Sequence, residues 1–316
     1  MTKDFVSGWY ENPWLTSSAG SPANVVTYDI ATGAFSANAL VISAFNEYLW
    51  ADFILLDASQ FVDTPVLITD KYQDLGSRAG VMVIGSSTGK WSMLSPYLVT
   101  TWAAKPSAVT YPGWRILVTD FGLRPSKWTS DDNATAANND WFADSTFLLG
   151  VSKDIALPAA FTTENIMAYL SIPSTGSADG SAYKNGDVIR ITEAAGKTGT
   201  TNAMTLTTRA GINHTTGDTS IASVTPGVSV ISWGVQFDFE RLSATSIRLQ
   251  GMAATLTSGS YSGTSTTAIA ADITGLTNID TGGATYYISS GMVLNGVVDT
   301  SPILKNWRAE FIPAGV

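Results

Sequence analysis

The 316-residue chain has a formal net charge of −9, and only 14% of its residues are charged against about 25% in ordinary soluble domains. Nucleic acid is thereby disfavoured as a main partner, because phosphate binding needs clustered Lys and Arg. The absence of cysteine excludes disulfides, Cys-based zinc sites and thiol catalysis.

Residues 1–60 read as an N-terminal arm. Its opening segment carries no apolar stretch of the kind a secretory signal needs, and no run anywhere reaches the ~18 apolar residues of a membrane span. Trp9, Tyr10 and Trp14 precede a small-residue stretch, Ser17-Ser18-Ala19-Gly20-Ser21-Pro22. From Ala37 to Asp57 the apolar density rises with no sustained period, and strands are the expectation there. An irregular hydrophobic arm suits docking onto a partner surface, and equally suits packing on the next domain.

Residues 61–143 carry an internal repeat. Val66-Leu67-Ile68-Thr69-Asp70 returns as Ile116-Leu117-Val118-Thr119-Asp120 at an offset of 50, and Trp91 and Trp141 each lie 21 residues after the Asp. Two coincidences at one offset point to a duplicated supersecondary unit. The spacing predicts a small β-meander: an apolar strand, a turn opened by Thr-Asp bonding to the N–H groups just ahead, and a strand closing on Trp.

Residues 144–316 predict a β-sandwich. Ile231, Trp233, Val235, Phe237 and Phe239 alternate with Ser232, Gly234, Gln236, Asp238 and Glu240, the pattern of a strand with one buried and one wet face. Shorter alternations occur at Phe147/Leu149/Val151, Ile166/Ala168/Leu170/Ile172, Ile189/Ile191, Met204/Leu206, Ile247/Leu249, Tyr286/Ile288 and Trp307/Ala309/Phe311. Asn185-Gly186, Gly196-Lys197-Thr198-Gly199 and Gly282-Gly283 supply turns between them. The fold class expected is therefore all-β: an extended arm, a duplicated meander domain, and a sandwich with jelly-roll topology.

Two stretches carry a family resemblance. Trp114-Arg115-Ile116-Leu117-Val118-Thr119-Asp120-Phe121-Gly122, with Ser126-Lys127-Trp128-Thr129-Ser130-Asp131 and Trp141, is similar to a Trp-rich element at the junction of phage fibre domains; Asp131-Asp132-Asn133 stands where an Asp-Gly is usual. Lys184-Asn185-Gly186-Asp187-Val188-Ile189-Arg190-Ile191 and Gly196-Lys197-Thr198-Gly199 open a second pattern. Leu206-Thr207-Thr208-Arg209-Ala210-Gly211, Phe237-Asp238-Phe239-Glu240-Arg241 and Ser243-Ala244-Thr245-Ser246-Ile247-Arg248 complete it. That order resembles a C-terminal β-sandwich of phage tail and fibre-type virion proteins. The resemblance implies a non-enzymatic virion subunit that acts by assembly and host attachment or receptor contact. It further implies oligomerisation, commonly as a homotrimer, and no particular receptor. Contacts with other virion proteins through the N-terminal region are expected beside it, with host-surface glycan a candidate partner.

No chemistry stands out against this. His214, the only histidine, sits in the polar run Gly211-Ile212-Asn213-His214-Thr215-Thr216-Gly217-Asp218 and reads as a surface-loop residue. Asp238 and Glu240 share the wet face of one strand, where Arg241 or Arg248 is expected to answer them across strands. Asp131, Asp132, Asn133, Asn138, Asn139 and Asp140 gather hard oxygens but lack calcium-loop spacing. Trp233 and Trp307 fall in core phase, whereas Trp9, Tyr10 and Trp14 are the better interface candidates. No catalytic, cofactor or metal residue is assigned, and the chain is expected not to be an enzyme. The competing readings are a carbohydrate-binding β-sandwich module of a bacterial surface or secreted protein, and behind it a glycan depolymerase.

Overall fold

The computed structural model describes residues 28–29, 34–35, 46–62, 64–72, 80–131, 141–156, 162–173, 182–257, 269–276, 285–296 and 300–314. The expectations for Trp9, Tyr10, Trp14 and the oxygen-rich run beyond Asp131 lie outside the described residues, as does the Gly282-Gly283 turn. Among the described residues nearly all regular secondary structure is strand, as the two-residue alternation predicts. Two short strands, β1 (Tyr28–Asp29) and β2 (Ala34–Phe35), pair antiparallel.

The next four strands are β3 (Asn46–Tyr48), β4 (Pro65–Ile68), β5 (Val81–Gly85) and β6 (Trp91–Met93), ordered β3-β4-β5-β6 in one sheet. β3 runs parallel to β4, so the chain crosses over between them, through the one-turn helix α1 (Trp50–Phe53) and a 3-10 turn at Ala58–Phe61. Within the described part of the Ala37–Asp57 segment, the expectation of strands is met at β3, and the residues after it coil instead. A parallel neighbour cannot be reached by a hairpin, and the intervening residues coil to bring the chain back. Gly85 lies so close to the Ala58 carbonyl that a Cβ would overlap it. Phe53, Val66, Ile68, Val81 and Val83 are fully buried.

β7 (Leu98–Thr100), β8 (Arg115–Val118), β9 (Ser126–Ser130) and β10 (Trp141–Ala143) follow in a sheet ordered β10-β9-β8-β7. The repeat seen in the sequence is a repeat of hydrogen bonds. Thr69 N–H donates to the Tyr48 carbonyl at 3.0 Å, and Thr119 N–H donates to the Thr100 carbonyl at 3.0 Å. Asp70 accepts the Trp50 N–H at 2.7 Å, and Asp120 accepts the Trp102 N–H at 2.7 Å. The Thr-Asp pair stands where the chain turns after each strand, as expected, but its described bonds point backward rather than ahead. It reaches back 20 residues in the first copy and 18 in the second, fastening the exit of the preceding strand. The conserved-phase Trp likewise begins the last strand of each copy rather than ending it.

The packing divides the chain into two compact units: Met1–Val99 with Pro106–Leu117 and Ser130–Asn133, and Thr100–Lys105 with Val118–Thr129 and Ala134–Val316. Within the first, Phe53, Phe61, Trp91, Tyr111 and Trp114 form an aromatic core, and the Trp114 indole donates to the Trp91 carbonyl at 2.9 Å. Burial pushes the Tyr111 hydroxyl up to about 12.

The second unit is dominated by ten antiparallel strands. They are β11 (Phe147–Ala156), β12 (Asn165–Ile172), β13 (Val188–Thr198), β14 (Met204–Gly211) and β15 (Thr219–Val224). Then come β16 (Val230–Ser243), β17 (Ser246–Thr257), β18 (Ile269–Ile273), β19 (Tyr286–Leu294) and β20 (Thr300–Ile312). One sheet has the order β11-β20-β13-β16-β17-β18 and the other β12-β19-β14-β15. With β17 and β18 set aside, the first, eighth, third and sixth strands make one sheet, and the second, seventh, fourth and fifth the other. That is the jelly roll, extended at one edge by a hairpin. Its interior is the alternation predicted from Ile231 onward. Trp233, Val235, Phe237 and Phe239 on β16 lie beside Ile189 and Ile191 on β13, with Leu170, Leu206, Ile288 and Met292 from the other sheet also buried.

Candidate functional site

The outer face of the larger sheet is a ladder of ion pairs. Arg190 grips Asp238 with two bonds of 2.8 Å, and Arg248 links Glu240 at 3.6 Å to Asp272 at 2.9 Å. Arg308 meets Glu310 at 2.6 Å. Its hydrogen bonds to the Asp238 carboxylate hold the Arg190 guanidinium above its ordinary range. Asp238 and Glu240 are thus each answered by a cation, as expected for a solvated face. Arg248 is one of the expected partners but Arg241 is not. Arg241 continues the inward phase of Phe237 and Phe239; it is 5% exposed and donates to the Tyr183 and Ser243 carbonyls. Neither carboxylate is presented as a proton-transfer partner to the other.

The Lys184-Asn185-Gly186-Asp187 turn is structural. Asp187 accepts the Lys184 N–H at 2.7 Å and the Ala314 N–H at 2.8 Å, tying the end of β20 to the start of β13. Gly186, at φ 88°, supplies the left-handed step and donates to the Arg241 carbonyl at 2.8 Å. Burial pushes Asp187 up to about 6 despite those two N–H donors.

A second buried acid lies between the two sheets. Glu193 stands in the inward phase of β13 and is 1% exposed. Thr208 Oγ1 approaches it at 3.4 Å, Ser290 bonds it, and the Trp307 indole donates to Ser290 at 2.9 Å. Its Oε2 has no protein partner. Burial pushes this carboxyl up to about 7, against the lowering effect of Ser290 and Thr208. Its neighbours on β16 and β20, Val235 and Trp307, are core residues.

His214 presents a different picture. It lies in the β14–β15 loop at a φ of 45°, one of two non-glycine residues in the left-handed region among the described residues. Its ring stacks on Tyr169 with centroids 4.8 Å apart and planes 14° apart, and meets Tyr287 at 4.8 Å and 65°. Tyr169 and Tyr287 are 5.8 Å apart, edge to face. His214 is a surface-loop residue, as the sequence implies, but it belongs to an exposed three-ring cluster on the outer face of the smaller sheet. The two tyrosines escaped sequence reading. The signal was present, since each is an aromatic on the wet phase of its strand, between Ala168 and Leu170 and between Tyr286 and Ile288.

Beside the cluster, Arg209 binds both oxygens of Glu164 at 2.8 and 2.5 Å. Asp218 is buried beneath the loop and accepts the Thr215 N–H at 3.1 Å. Gly211 and Gly291 leave room for Asp218 and Glu164, since a Cβ at either would overlap the carboxylate. Trp233 and Trp307 are core residues, 3% and 1% exposed. Among the described residues no group of three or more His, Asp or Glu converges as a metal site, and no helix is long and apolar enough to cross a membrane.

No family model matches the sequence, and no curated protein does. Among solved structures, the particle of infectious bursal disease virus, Gx strain, gives a TM-score of 0.29 at 10% identity, over 75% of this chain and 42% of that one. The lectin UEA-II complexed with galactose gives 0.26 at 10% identity, over 53% of this chain and 93% of that one. The chain spans less than half the length of the viral protein. Likenesses this slight carry no argument about function.

Proposed function

We propose that the chain is a non-enzymatic structural subunit of a phage particle, of tail or fibre type, working by assembly and surface contact. The observation that carries this reading is the architecture: a duplicated β unit joined in sequence to a jelly roll, a topology recurrent in viral capsid and lectin domains. The described acids support it too, because Asp238 and Glu240 are paired and Asp70 and Asp187 are fastened to backbone. The subunit works as a homotrimer on the virion, with its N-terminal region against other virion proteins. Light scattering after size-exclusion chromatography at micromolar concentration is expected to give three chains per particle. A monomer, with residues 1–60 intact, would refute the assembly. Detection of the chain by mass spectrometry in purified virions tests the location.

A second reading, a carbohydrate-binding β-sandwich module, is favoured by one specific observation, the exposed Tyr169–His214–Tyr287 cluster.

A further inference from the structure

We infer that the outer face of the smaller sheet holds a binding platform for a neutral saccharide, built from Tyr169, His214 and Tyr287. The inference gives the carbohydrate reading its site and ligand class, and it holds whether or not the chain assembles on a virion. Tyr169 is 52% exposed although it stands mid-strand, with Ala168 and Leu170 on either side buried. A lone exposed tyrosine would need no explanation; here three rings from two strands and a loop gather with centroids within 6 Å of one another, His214 stacked on Tyr169 and Tyr287 edge-on to both, and together they present an amphipathic aromatic cluster.

The loop is built to hold that surface. A left-handed backbone is disfavoured for a non-glycine residue, and His214 adopts it where Asp218 pins the loop from beneath through the Thr215 N–H. The ring is thereby fixed against Tyr169 before any ligand arrives, which lowers the ordering cost of binding.

The surroundings select the ligand. Arg209 is held by both oxygens of Glu164 and by the Asp218 carbonyl, and the Asp218 carboxylate is buried beneath the loop, so the arginine beside the platform is already engaged. What remains at the rim is neutral: Ser171 opposite Tyr287, and the exposed Asn213, Thr215 and Thr216 flanking the histidine. A pyranose offers C–H groups to an aromatic face and hydroxyls to such a rim. Among the described residues the arginine beside the platform is already engaged, which disfavours an acidic sugar or a phosphate.

The single histidine makes the test direct. The full chain, with 13C-labelled histidine, is titrated with neutral oligosaccharides ending in glucose, galactose, mannose or N-acetylglucosamine, and with sialylated and phosphorylated counterparts. At least one neutral sugar is expected to move the His214 ring signals saturably, and Tyr169→Ala to weaken it tenfold or more. Arg308→Ala, on the other sheet, is expected to leave it unchanged. Tyr169→Leu, which keeps bulk without an aromatic face, shows the same loss should the alanine variant fail to fold. The platform is overturned if no sugar moves the ring, if only acidic sugars do, or if binding survives loss of the Tyr169 ring. Light scattering on the same samples reads the oligomer separately, so a silent titration of an intact trimer removes the platform and leaves the assembly reading standing.

Discussion

Single residues carry most of what is unusual here. Glu193 is a carboxyl placed where the strand pattern calls for an apolar side chain, and its folded value near 7 lies above the ordinary 4.5. A raised acid binds its proton more tightly in the folded state, so its contribution is fully present below pH 4.5 and is lost as pH rises to about 7. The shift corresponds to about 3 kcal/mol. Asp187 acts with the same sign between 3.8 and about 6. Denaturant unfolding across pH 4 to 8 is therefore expected to show falling stability, and Glu193→Gln to remove the upper part of the slope. A flat profile in the parent chain would count against the buried charge. Asp70 and Asp120 make the duplication testable at the same scale. Removing either carboxylate leaves a Trp backbone N–H without its acceptor, and Asp120→Ala is expected to cost about 1–2 kcal/mol by the same measurement.

At the level of elements, the strands were legible because a two-residue period is a local property. Ile231 to Glu240 shows it without help from any other segment, and β16 runs where it predicts. The phase also held information left unread: Arg241 and Glu193 both sit on inward positions, and Tyr169 and Tyr287 on outward ones. What could not be read is pairing. Nothing in Asn46-Glu47-Tyr48 marks a strand, and β3 exists because it lies parallel to β4, whose residues begin 19 positions later, at Pro65. Thr-Asp was legible as a repeat, but the direction in which its bonds point depends on that partner strand. Core truncation on β16 gives the element-scale test. Phe239→Ala, at a fully buried position, is expected to lower unfolding free energy by about 3–5 kcal/mol. Asp238→Asn, which breaks a half-exposed pair with Arg190, should cost under about 1 kcal/mol and less in high salt.

For the molecule as a whole, the jelly roll makes the order of synthesis matter. β20, the last strand described, lies between β11, the first of the sandwich, and β13. The backbone groups of both neighbours face a vacant lane until residues up to Ile312 have emerged from the ribosome, and Asp187 then latches the Ala314 N–H behind them. A nascent chain halted anywhere before Thr300 would expose two unpaired strand edges, an invitation to intermolecular pairing. The larger sheet closes only once β20 is available, so partners that capture the chain before then would meet an open sheet.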